Sequence, residues 1–141
     1  MRPGDIYLYE DFYLSRQTGE LKPKYLVILS FTPARDVVAR LLTSRAHGRP
    51  ESPPCYHGHP YPAFYLGVIG GRLMAKSWVD LRALDDLDEA CFARQRSLGR
   101  VRQVGELPVS VLTELLECVA GADDTTRLQE RCIRNLIAGL R

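Results

Sequence analysis

The sequence has no apolar run approaching the ~18 residues a membrane-spanning helix needs, so its function is not sought within a bilayer. No apolar segment follows Arg2 that would serve as a signal peptide, and a cytoplasmic location is the expectation. There is no CxxC pair: Cys55, Cys91, Cys118 and Cys132 stand far apart, and two of them fall in helical patterns beside Leu and Val. A reduced cysteine there is a small apolar residue, so all four are expected to be free thiols in a reducing compartment. Internal repeats are absent, which excludes a solenoid. Net charge is only +2, too little to announce a nucleic-acid partner by itself.

What is present describes one domain over residues 1–141, with 45% hydrophobic residues to build a core and 26% charged residues to solvate it. The charge is unevenly placed. Residues 1–50 hold eight Lys or Arg against five Asp or Glu, whereas residues 107–141 hold four against five. A basic N-terminal half is compatible with phosphate contact, although scattered solvated charge is the plainer reading.

Two stretches organise the chain. Lys22-Pro23-Lys24-Tyr25-Leu26-Val27-Ile28-Leu29-Ser30 and Val37-Val38-Ala39-Arg40-Leu41-Leu42-Thr43 are β-branched and apolar in the middle, with cations and hydroxyls at their ends. Such strands are buried centrally and carry their polar ends at the sheet rim. Before them, Ile6 to Tyr13 is rich in strand-forming aromatics, and Ser15 to Glu20 supplies a turn with Gly19.

Pattern is lost between Ser44 and Pro62, where five prolines fall within thirteen residues. That density excludes helix and interior strand and predicts a long surface loop over about 45–63. Phe64 to Ile69 and Leu73 to Leu81 resume strand character across Gly70-Gly71, a hairpin signal. Asp85 to Phe92 reads as a short helical turn with acids at its start, and Leu98 to Leu107 as a half-exposed strand. Two helices are predicted over about 108–120 and 124–138. Thr126 and Gln129 have capping-box spacing, and Leu128, Cys132, Ile133, Leu136, Ile137 and Leu140 form the last apolar stripe. That stripe serves equally for packing on the same chain or across a dimer.

The expected architecture is mainly β (α+β): a small curled sheet or barrel of five to six antiparallel strands with two C-terminal helices. Trp78 is expected in the core or at a dimer contact. His47, Cys55, His57 and His59 lie with Tyr56 and Tyr61 in the long loop. They are plain loop residues, base-stacking or acid–base groups, or ligands of a Cys-x-His-x-His zinc site. Because His57 and His59 lack a second paired half, no metal or other cofactor is assigned.

In order along residues 3–120, the chain resembles the PemK/MazF-like toxin family. The likeness rests on Gly4-Asp5-Ile6, the cation-led strand ending in Ser30, Leu41-Leu42-Thr43-Ser44, Ala75-Lys76-Ser77-Trp78-Val79, Leu81 to Asp85, and Val104-Gly105-Glu106-Leu107. The resemblance implies an SH3-like barrel, usually a homodimer, that cleaves single-stranded RNA without a metal and is neutralised by a cognate antitoxin. Attack of a ribose 2′-hydroxyl on the adjacent phosphate would require a base, an acid and positive charge on the phosphorane.

By the same resemblance Lys24, Thr43 and Ser44 are the catalytic candidates. Arg16, Gln17, Arg45, His57, His59, Lys76 and Ser77 are candidates for RNA contact, with Ser77 open to a structural role at its strand end. Two positions depart from the family pattern. Lys24 stands before Tyr25 where Arg before Pro is usual, which removes the bidentate fork, and Asp80 stands where Gln is usual. The alternative function is a non-catalytic SH3-like module that binds nucleic acid or a protein.

Overall fold

The computed structural model describes residues 1–14 and 19–140. Seven strands form a single antiparallel sheet: β1 (Asp5–Leu14), β2 (Leu21–Phe31), β3 (Val37–Thr43), β4 (Cys55–Tyr56), β5 (Ala63–Gly67), β6 (Ser77–Asp80) and β7 (Val101–Glu106). Three helices accompany it: α1 (Glu89–Ser97), α2 (Val109–Ala120) and α3 (Arg127–Leu140). The strands lie in the order β4-β5-β6-β3-β2-β1-β7. Among the described residues no pairing joins β4 to β7, so a closed barrel is not formed.

The central strands are apolar without alternation because helices cover both faces of the sheet. Val27 and Leu29 pack with Leu115, Leu116 and Val119 of α2 and Ile133 of α3. Leu26 and Ile28 point the other way, into a cluster with Tyr7, Val37, Ala39 and Phe92 of α1. Each such side chain, removed from water, contributes about 1.5–3 kcal/mol. A two-sided core of this kind explains why strand length, not period-two polarity, was the sequence signal.

The third helix is an addition to the expected architecture. Asp85 to Phe92 does not end as a single turn: Asp88 accepts a hydrogen bond from the Cys91 amide at 2.8 Å, and the helix continues to Ser97. Phe92 is its one buried residue, meeting Tyr7 edge-on at 5.3 Å between ring centroids. The loop also differs from expectation, since Cys55 and Tyr56 pair with Phe64 and Ala63 as a two-residue edge strand.

The expectation of four free thiols fails at one pair. Cys55 and Cys118 are disulfide-bonded across a sequence separation of 63, and Cys91 and Cys132 are free. The fold lays the proline-rich loop against α2, a contact that no local pattern announces.

In α3 the buried face is centred on Gln129, Ile133 and Ile137, so Leu128 and Leu140 are exposed, at 42% and 37%. Gln129 takes a core position because Arg40, wholly buried in β3, lies beneath it. The Arg40 guanidinium donates to the Ala39 carbonyl at 2.8 Å and to Gln129 Oε1 at 3.0 Å. Burial lowers the Arg40 pKa, and the charges of Asp86, Asp124 and Asp80 oppose that fall. The predicted capping box is present. Thr126 Oγ1 accepts from the Gln129 amide, and Gln129 Oε1 from the Thr126 amide, both at 3.1 Å. No helix among the described residues is long and apolar enough to cross a membrane.

Candidate functional site

The most informative break in the sheet lies at β3. From Val37 to Leu41 this strand pairs with β2, ending with Leu41 opposite Leu26. Leu42 and Thr43 then pair with Val79 and Trp78 of β6. Where β3 changes partner, the start of β2 and the start of β6 are left on either side of an opening. A cavity of about 250 Å³ fills it, bordered by Lys24 and Tyr25 of β2 and by Leu42 and Thr43 of β3. Ser44 and Arg45 continue this wall, and Arg72 to Ala75 with Ser77 form the other.

The second wall is shaped by the turn between β5 and β6. Gly70 and Leu73 exchange backbone hydrogen bonds at 3.1 and 2.9 Å, which closes a tight turn. Gly71 has φ 58, a conformation that favours glycine and leaves Arg72 beside it at the turn's tip. Arg72 and Met74 were not anticipated as site residues. The Gly70-Gly71 pair was the available signal, because it fixes which residue occupies the apex.

The structure thus brings together Lys24, Thr43, Ser44, Arg45 and Ser77 at one cavity. Their roles differ. Thr43 Oγ1 accepts from the Arg45 amide at 3.2 Å, which leaves its hydroxyl hydrogen available to donate. Ser44 and Arg45 are exposed. Ser77 is buried and donates to the Ala75 carbonyl at 3.1 Å, the structural role open to it in the sequence. Three cationic side chains, Lys24, Arg45 and Arg72, border the cavity, and no histidine or carboxylate does so among the described residues. An anion is the ligand such a lining stabilises.

Other candidates lie elsewhere. Lys76 does not border the cavity; it pairs with Glu51 at 3.0 Å, and that hydrogen bond and charge raise its pKa. His57 and His59 sit against the C-terminal end of α2. His57 Nε2 is 2.9 Å from the Cys118 carbonyl oxygen, and His59 Nε2 is 3.3 Å from Asp123 Oδ2. Arg16 and Gln17 lie outside the described residues.

Asp80 proves to be an anchor for the loop. Its carboxylate is held by Arg82, through Nε at 3.0 Å and Nη2 at 2.6 Å, and by the buried Arg49 at 3.9 Å. Burial pushes the Asp80 pKa up, but the Arg82 hydrogen bonds and both guanidinium charges outweigh it and hold it below its usual value. For Arg49, burial outweighs the more distant Asp80 and lowers its pKa. Both guanidiniums lie over the Tyr61 ring, at 4.9 and 5.3 Å from its centroid. Trp78, a core residue, donates its indole N–H to the Pro50 carbonyl at 3.0 Å.

Three ligand-type atoms meet at one further place: Cys55 Sγ, His57 Nε2 and Cys118 Sγ lie within 4.8 Å of one another. Cys118 supplies from α2 the second half that the loop sequence lacks. Compared with protein families, with curated proteins and with solved structures, the chain matches none.

Proposed function

We propose that the cavity at the β2–β3–β6 junction binds the phosphate backbone of single-stranded RNA, and that the chain is a toxin-type endoribonuclease of the PemK/MazF-like kind. The observation that carries this reading is the convergence of Lys24, Thr43, Ser44 and Arg45 on one open cavity with Arg72 across from them. The cations would stabilise the charge that accumulates on a phosphorane, and the two hydroxyls would donate to its oxygens. In the reaction the 2′-oxygen bonds to phosphorus and the 5′-oxygen leaves. The 2′-hydroxyl proton ends on the departing 5′-hydroxyl, and a cyclic phosphate remains. No metal is required for that balance.

The partner switch of β3 is the start of an SH3-like curl, which is the finer architecture belonging to this reading. A cytoplasmic homodimer and a cognate antitoxin that covers the cavity complete it. One observation favours the non-catalytic alternative: among the described residues the cavity has cations and hydroxyls but no bordering histidine or carboxylate to move the proton.

Incubation with a long single-stranded RNA in EDTA separates the two. The enzyme reading expects 5′-hydroxyl fragments that disappear with Lys24→Ala and Thr43→Ala. Thr43→Ser, which keeps the hydroxyl and its bond to the Arg45 amide, should retain cleavage. RNA that is bound yet stays intact at high protein concentration overturns cleavage and leaves the binding module. RNA that is neither bound nor cut overturns both.

A further inference from the structure

We propose that Cys55, His57 and Cys118 form a zinc site when their disulfide is reduced. The donor set is already assembled around the disulfide. His57 Nε2 lies 3.4 Å from Cys55 Sγ and 3.6 Å from Cys118 Sγ. With Zn–S of about 2.3 Å and Zn–N of about 2.0 Å, a tetrahedral site needs S···N edges of about 3.5 Å. Both observed separations therefore fit; the sulfurs must part, to about 3.8 Å, and His57 Nε2 must give up its hydrogen bond to the Cys118 carbonyl, at 2.9 Å. The donors come from two elements, β4 with its following loop and α2, so one ion would clamp the same two pieces of structure the disulfide clamps. Gly121 makes room for the imidazole: a Cβ at that position would lie 3.3 Å from His57 Cε1.

The chemistry balances as follows. Two equivalents of a small thiol, which leave joined as their own disulfide, or one phosphine and one water in vitro, which leave as the phosphine oxide, supply the two electrons and two protons that convert the disulfide to two thiols. Zn²⁺ then displaces both protons and binds two thiolates and neutral His57 through Nε2, giving a site of zero net charge. Because Nε2 must be bare to ligate, the ring proton resides on Nδ1 in that form. His57 is exposed, so water takes the fourth position.

The test titrates metal-free protein with Zn²⁺, and with Co²⁺ for its thiolate charge-transfer band, before and after phosphine reduction. Reduced protein should bind a single equivalent and oxidised protein none. His57→Gln should weaken binding by at least about tenfold, and His59→Ala should leave it unchanged. Bound zinc should also shield Cys55 and Cys118 from alkylation while exposed Cys91 still reacts, a readout that needs no variant. Equal binding by oxidised and reduced protein, wild-type affinity in His57→Gln, loss of binding in His59→Ala, or unshielded cysteines would each overturn the site.

Discussion

Replacing Arg72 by Ala tests the proposed interface through its dependence on salt. Three cationic side chains border the cavity, Lys24, Arg45 and Arg72. On a single strand each phosphate neutralised contributes about −0.7 to the slope of log affinity against log salt. The wild-type slope from this cavity is then about −2.1, and removal of one cation leaves about −1.4. Between about 50 and about 200 mM salt, wild-type affinity should fall about 18-fold and that of Arg72→Ala about 7-fold. Fluorescence anisotropy of a labelled oligoribonucleotide in EDTA reads both slopes. Lys76→Ala is the internal control, because Lys76 is paired with Glu51 and does not border the cavity. Should Arg72→Ala keep the wild-type slope, or Lys76→Ala lower it equally, the phosphates do not lie in this cavity.

Three further outcomes concern the frame that holds the site. Gln129→Ala should cost at least about 3 kcal/mol in urea unfolding, because it removes hydrogen bonds to the buried Arg40 guanidinium, the Asp86 carboxylate and the Leu84 carbonyl together with one helix cap. Its cost should shrink in an Arg40→Met background, and an unchanged cost there contradicts the network. Reducing the Cys55–Cys118 disulfide, with metal chelated, should lower stability by about 4 kcal/mol for a loop of this length; coincident urea curves before and after reduction would refute that staple. The Asp80 pKa is depressed below 3.8, so its stabilisation is complete above the ordinary carboxylate range and lost as pH falls through the lower, folded value. Asp80→Asn should therefore be less stable by about 1–2 kcal/mol at neutral pH, with the gap closing in acid. A gap independent of pH would show that the carboxylate charge is not responsible.

Elements governed by local chemistry were legible in the sequence. Val37–Thr43 is a strand as its β-branched run implies, and the reciprocal bonds of Thr126 and Gln129 follow from their spacing. The rest depended on contacts distant in the chain. Cys55 finds Cys118 only because the loop lies on α2, and no spacing within the loop reveals it. Arg40 interrupts an apolar run as a surface residue would, and its burial follows from an acceptor on α3, 89 residues away. Helix α1 buries only Phe92, too little to print an apolar stripe on a segment rich in Arg and Gln. Barrel closure likewise rests on whether the outer strands meet, and β4 and β7 are too far apart in sequence for local pattern to decide it. At the site, Thr43 was visible as the end of its strand, whereas Lys24, read as the head of its strand, lies within β2 opposite Tyr9. Arg72 was hidden behind a turn signal that speaks of geometry and not of charge.

The chain leaving β3 is bonded on both sides of Arg45: its amide donates to Thr43 Oγ1, and its carbonyl accepts from the buried Arg49 at 2.7 Å. Fixing a backbone residue costs about 1–2 kcal/mol of conformational entropy, and for the segment carrying Ser44 and Arg45 folding has already met that cost. A ligand entering from solvent meets a wall that needs no ordering, so more of its contact energy remains as affinity. Such a wall also tolerates little variation in the spacing of what it holds. Discrimination among ligands would then come from shape at the encounter, and not from a loop closing afterwards.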